Sequence, residues 1–159
     1  MSIVQTQGNE MIYCGVDPGF SGAWGMIDHH GEYVSCGDMH HNDKHIVSRY
    51  VIAEMLQAID RQDTEFVLEV VHAMPKQGVS STFKFGMAFG ASIAIIERFS
   101  GTFHMVTPQQ WKKDMELTSD KAQSLSLARK LWPLAPLHRV MDNGRAEALL
   151  LAEWYRRQE

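Results

Sequence analysis

Apolar positions follow two rhythms along this chain. MIYCGVD (11–17) is a short apolar run halted by Pro18-Gly19, with Ser21 and Gly22 close behind, and it predicts a strand ending in a turn. AWGMID (23–28) and EYVSCGDM (32–39) predict two more strands joined as a hairpin through His29-His30-Gly31. From Asp43 to Arg61 the period lengthens: Ile46, Val47, Val51, Met55, Leu56 and Ile59 recur at helical spacing, with Asp43 as N-cap. FVLEVV (66–71) reads as a strand covered on both faces, and a loop with Pro75 and Gly78 follows. A helix of small residues runs over 81–99 and ends at Gly101. TFHMV (102–106) is a fifth strand; TPQQWKK (107–113) opens a short helix with Thr107 as cap and Pro108 first inside. Two more helices fit 119–131 and 143–157. The order is βββαβαβα with extra helical pieces near the end, which predicts an α/β fold with helices on both faces of a sheet.

Against that pattern two carboxylates are misplaced. Glu69 interrupts FVLEVV, where a charge is costly unless it is paired or bound to metal. Glu147 shares a helix face with Leu150, Leu151 and Trp154, so it points to the core's edge. Asp17 is a third case, at the carboxyl end of the first strand, where functional groups of open α/β sheets collect. Each has a plain alternative: a turn-forming Asp17, a Glu69 facing solvent from an edge strand, and a Glu147 that favours the helix N-terminus. If the first and fourth strands are neighbours, about 4.8 Å apart, Asp17 and Glu69 meet, and a helix packed on the sheet brings Glu147 to the same point. Carboxylates held together repel unless a hard cation sits between them, and oxygen-only ligation selects Mg²⁺ or Mn²⁺.

At 159 residues the chain suits a single domain, 1–159, able to bury a core without disulfides. The net charge of −4 speaks mildly against nucleic acid, but residues 1–106 carry −6 and residues 107–159 carry +2. Metal-bound acids would shrink the deficit further. MSIVQTQGNE offers no basic or apolar region of a signal peptide, and the apolar stretch 86–96 is too short to span a bilayer. Cys14 and Cys36 form no CxxC pair and fit reduced core thiols in a cytoplasmic protein. His29, His30, His40, His41 and His45 have no zinc-site spacing and read as hairpin and loop residues.

Taken together, GVDPGFSGA (15–23), EVVHAMPKQGVSSTFKFGMAFG (69–90), WKKDMELTSDKAQ (111–123) and DNGRAEALLLAEW (142–154) resemble, in order and spacing, the motifs of RuvC-like Holliday junction resolvases. AMPKQGVSS and the Phe-rich segment after it resemble those carried by bacteriophages. The resemblance implies an RNase H-like fold: a mixed five-stranded sheet, three antiparallel strands and then parallel ones, flanked by helices. It implies Asp17 bridging two Mg²⁺ ions (Mn²⁺ substituting) in each active site, Glu69 and Glu147 completing the cage, and Asp142 as a fourth carboxylate. Many relatives place two acids in the turn three or four residues before the final one, where this chain has Gly144 and Asn143. Asp142 lies five residues before Glu147, so it either ligates through water or caps the last helix, and Asn143 offers a carbonyl oxygen. Lys112, Lys113, Lys121, Arg145 and Lys76 are the DNA-contact candidates. His72 falls where some relatives carry an aromatic wedge, and is otherwise a loop residue.

The activity implied is two-metal-ion phosphodiester hydrolysis by a homodimer, nicking opposed strands of a four-way junction. Rivals are a nuclease of the same fold acting on flaps, other branched DNA or RNA, and a non-catalytic junction-binding module. An ATP-binding protein of the actin and sugar-kinase group would need a second such domain.

Overall fold

A computed structural model describes residues 10–59, 63–72 and 75–159. Its centre is a five-stranded sheet built from β1 (Ile12–Asp17), β2 (Ala23–Asp28), β3 (Tyr33–Asp38), β4 (Thr64–Glu69) and β5 (His104–Val106), in the order β3-β2-β1-β4-β5. β1, β2 and β3 pair antiparallel, while β4 and β5 run parallel to β1. This is the mixed α/β architecture expected. The β2–β3 turn is closed by Asp28, whose Oδ1 accepts from the N–H groups of His30 and Glu32.

Two layers of helix cover the sheet. α1 (Ser48–Ala58) and α2 (Val79–Glu97) lie on one face, over a core of Trp24, Met26, Met55, Phe66, Ile95 and Ile96. On the other face lie α3 (Pro108–Asp114), α4 (Lys121–Leu131) and α5 (Asn143–Arg156), closing on Trp111, Trp132, Leu149 and Leu150.

α5 rests directly on the sheet because β1 and β2 present glycines to it. A Cβ on Gly15 would overlap the carbonyl oxygen of Ala148 and stand 2.8 Å from the amide nitrogen of Ala152. On Gly25 it would be 2.7 Å from the Leu149 nitrogen. Backbone therefore packs on backbone there, and the register of α5 over β1 is fixed.

Several boundaries move from where periodicity puts them. α1 starts at Ser48, not Asp43, because the Asn42 side chain accepts from the N–H groups of Lys44 and His45 and folds residues 41–46 into a bridged loop. Its expected end at Arg61 lies outside the described residues. β4 stops at Glu69, so the acid ends the strand instead of interrupting it. α2 runs Val79–Glu97 with Arg98 as C-cap, which leaves Gly101 beyond its end. α2 extends the apolar stretch 86–96 at both ends, and at 19 residues it is long and apolar enough, by length and composition alone, to cross a membrane. Its second half instead enters the core through Ser92, Ile95 and Ile96. Thr107 caps α3 as expected, its side chain accepting from the Gln110 N–H, with Pro108 at the first position. Asp120 caps α4 in the same way through the Ala122 N–H.

Candidate active site

The parallel pairing of β1 and β4 matches Val16 with Leu68, both facing the α1–α2 core. One residue further along each strand stand Asp17 and Glu69. Side chains alternate between the faces of a strand, so both acids face α5. The helix, held down at Gly15, brings Glu147 over them within its second turn. Three elements distant in sequence thus place three carboxylates at the carboxyl end of the central strands.

Their electrostatics follow from that crowding. Burial, then the charges of Glu69 and Glu147, push the Asp17 carboxyl well above the usual range, with Lys121 and Lys112 opposing. Burial likewise raises Glu69, against a hydrogen bond from Trp111 and with Glu147 adding to the rise. Trp111 Nε1 donates to Glu69 Oε2 at 2.7 Å, and Lys112 Nζ donates to Glu147 Oε1 at 2.7 Å. Ser124 Oγ donates to the same Glu147 oxygen at 3.4 Å.

A hard divalent cation suits such an oxygen-only donor set, because it relieves the repulsion that raises Asp17 and Glu69. Among the described residues, no three His, Cys, Asp or Glu side chains are drawn together as a ready-made metal cage. Trp111 and Lys112 each hold one oxygen of the neighbouring acid. The donor chemistry suits a cation, and the charges of both glutamates reach Asp17.

The other candidates are distributed unevenly. Asp142 belongs to a different set of charges. Its Oδ2 accepts from the Arg139 N–H at 2.7 Å, and its Oδ1 accepts from Arg139 Nε and Nη2 at 3.0 and 2.7 Å. Burial would raise this carboxyl, but Arg139 outweighs it and holds it below the ordinary value. Asp142 closes a turn of 3-10 helix (Val140–Asp142) and makes no side-chain cap bond to α5. Arg145 is committed to Asp38, through bonds of 2.7 and 2.8 Å, and to the Pro136 carbonyl. Lys112, expected on a phosphate, is 15% exposed against Glu147 and forms part of the acid site. Lys113 and Lys121 are exposed, and the charge of Lys121 reaches Asp17 and Glu69. Lys76 is exposed on the loop after β4, with a left-handed backbone (φ 68°). His72, also exposed, lines a pocket of about 320 Å³ with Val71, Phe85 and Pro108, just beyond Glu69. Phe83 is 68% exposed whereas Phe85 lies against that pocket, the division their spacing suggests.

Sequence reasoning missed Trp111, Ser124 and Arg139. For Trp111 a signal existed: an indole buried by a helix needs an acceptor for its N–H, and the misplaced Glu69 was the acid lacking a partner.

No protein-family model matches the sequence, and no curated protein does. Solved structures do. T. thermophilus RuvC in complex with Holliday junction substrate is similar with a TM-score of 0.65 at 17% identity, over 93% of this chain and 96% of that one. A second Thermus thermophilus RuvC structure gives 0.62 at 18% identity over the same shares. At such identities the likeness is one of fold, and the chain has a RuvC-like α/β fold.

Proposed function

We propose that this chain is a divalent-metal-dependent endonuclease that resolves four-way DNA junctions. One observation carries the reading: Asp17 and Glu69 stand side by side at the ends of β1 and β4, Glu147 closes over them, and the three repel one another. Such a site is built for a cation and not for its own stability. The RuvC of the similar structure was solved with a Holliday junction substrate, which supports branched DNA as the partner here.

In this reading Asp17, Glu69 and Glu147 hold the cations, Mg²⁺ or Mn²⁺. When bound, these supply Lewis-acid stabilisation of the phosphodiester and lower the pKa of water. The chain's own residues orient and balance charge. Trp111 fixes the rotation of the Glu69 carboxylate, and Lys112 and Ser124 fix that of Glu147. Lys112 and Lys121 bring positive charge to the place a scissile phosphate would occupy, with Lys113, Lys76 and His72 further along the surface. Arg145 and Asp142 shape the wall beside α5 through Asp38 and Arg139 instead of touching the cation. A second copy of the chain is the proposed partner for the exposed residues Val79, Phe83 and Met87 on α2, since paired nicks need two sites related by a two-fold axis.

The test uses a labelled synthetic four-way junction with Mg²⁺ or Mn²⁺, beside duplex, flap and RNA controls. Paired symmetric nicks on the junction alone are expected. Preferential cutting of flaps or RNA would replace the junction with another substrate of the same chemistry, and binding without cleavage under any metal would sink the nuclease reading.

A further inference from the structure

The loop leaving Asp17 joins the acid site to a second concavity. Phe20 and Ser21 line an open groove of about 560 Å³ together with His40, His41, Arg139 and Met141. Phe20 is three positions after Asp17, at most about 11 Å of chain. The Met39 N–H donates to the Gly22 carbonyl at 2.9 Å, tying the loop to the groove wall.

The groove's chemistry is particular. The Phe20 and His41 rings are stacked at 5.0 Å, with 11° between their planes, and His41 is exposed. Acids around the groove are already matched: Asp38 with Arg145, Asp142 with Arg139, Glu54 with His40. Asp142 holds the Arg139 guanidinium through Nε and Nη2, yet that side chain stays 57% exposed. Met141, 70% exposed, puts apolar surface on the rim, and Val140, its neighbour in the chain, is 83% exposed. A flat ring pair, an oriented guanidinium and an apolar rim are what an unpaired nucleotide engages: the base stacks and the arginine meets phosphate.

We infer that this groove binds one unstacked nucleotide of the strand whose phosphate sits at Asp17, with its base against Phe20 and His41 and an adjacent phosphate on Arg139. The inference rests on the nuclease reading and adds a determinant to it. The enzyme would grip only DNA that offers a base free of its duplex stack, as the crossover of a junction does.

The experiment measures binding of the full chain to a fluorescent single-stranded oligonucleotide and to a four-way junction, both in EDTA, with 2-aminopurine placed in turn at positions around the crossover. Wild type is expected to change the 2-aminopurine emission at one position. His41→Ala, on the exposed side of the stack, and Phe20→Leu should abolish that change and weaken single-strand binding about fivefold or more. Arg139→Gln should lower the slope of log affinity against log salt by about one unit. Thermal melting checks that each variant folds, and His41→Ala is the least able to disturb the core. Wild-type affinity for both probes in His41→Ala and Phe20→Leu, with no 2-aminopurine position responding, would overturn the groove while junction cleavage still stood. A chain that binds the single strand through these residues but neither binds nor cuts a junction would overturn the junction reading and keep the groove.

Discussion

Asp17 and Glu69 lie side by side on the face of the sheet that α5 covers, each one residue beyond the matched pair Val16–Leu68. Both carboxyls are raised by burial and by neighbouring negative charge, so each is a poor neighbour for the other without a cation. Asp17→Asn and Glu69→Gln should abolish cleavage, by about a thousandfold or more, while junction affinity changes little. Gel assays of cleavage and binding on one substrate separate the two effects.

The same crowding predicts a melting response. A cation that binds only the folded chain stabilises it by about 2.7 kcal/mol at a hundredfold excess over its Kd, several degrees for a protein of this size. Mg²⁺ or Mn²⁺ should raise the wild-type Tm and leave that of Asp17→Asn nearly unchanged. Equal responses in both proteins, followed by scanning calorimetry, would show that the cation binds elsewhere.

Trp111 holds Glu69 from behind at 2.7 Å. Trp111→Phe keeps most of the buried ring and removes the donor. Loss of such an outer partner typically costs about 10- to 100-fold in metal affinity or activity, so cleavage should fall by that factor and recover in part at higher metal concentration. Recovery distinguishes a loosened ligand from a damaged core.

Away from the site, Glu153 is buried and bound by Arg156 at 2.7 and 2.9 Å and by Arg157 at 2.7 Å. Burial alone would raise its carboxyl, but the two arginines hold it below the ordinary value. A depressed acid stabilises the fold above its unfolded pKa, about 4.3, and that contribution disappears as pH falls through the folded value. Glu153→Gln should therefore cost about 1–2 kcal/mol at pH 7, measured by urea denaturation, and the gap from wild type should close in acid below pH 4.

How far the sequence revealed this molecule depends on the range of the forces involved. β1, β2, β3 and the three acids were legible because a charge inside an apolar rhythm is visible in one dimension. The start of α1 was not, because the Asn42 side chain diverts the backbone locally and leaves the hydrophobic period intact. The resemblance implied Asp142 as a fourth carboxylate although it lies five residues before Glu147, and its carboxylate is bound to Arg139, three residues back. Arg145 and Lys112, read as phosphate contacts, are paired with acids inside the chain for a similar reason. Whether a cation meets a phosphate or an internal acid depends on residues 107 and 35 positions away, Asp38 and Glu147.

The seating of α5 on Gly15 and Gly25 also sets an order of events during synthesis. Strands β1 and β4, with Asp17 and Glu69, emerge from the ribosome long before residues 143–156. Until those residues arrive, β1 and β2 lack the helix that packs on them and the site lacks Glu147. A chain without residues 143–156 therefore carries two of the three acids and should cut no DNA, so cleavage would report that α5 has been made and seated. Gly15→Ala would imitate that state in a chain that does carry residues 143–156. The added methyl collides with the Ala148 carbonyl, and the cost of about 3 kcal/mol or more falls on the contact that brings the last acid home.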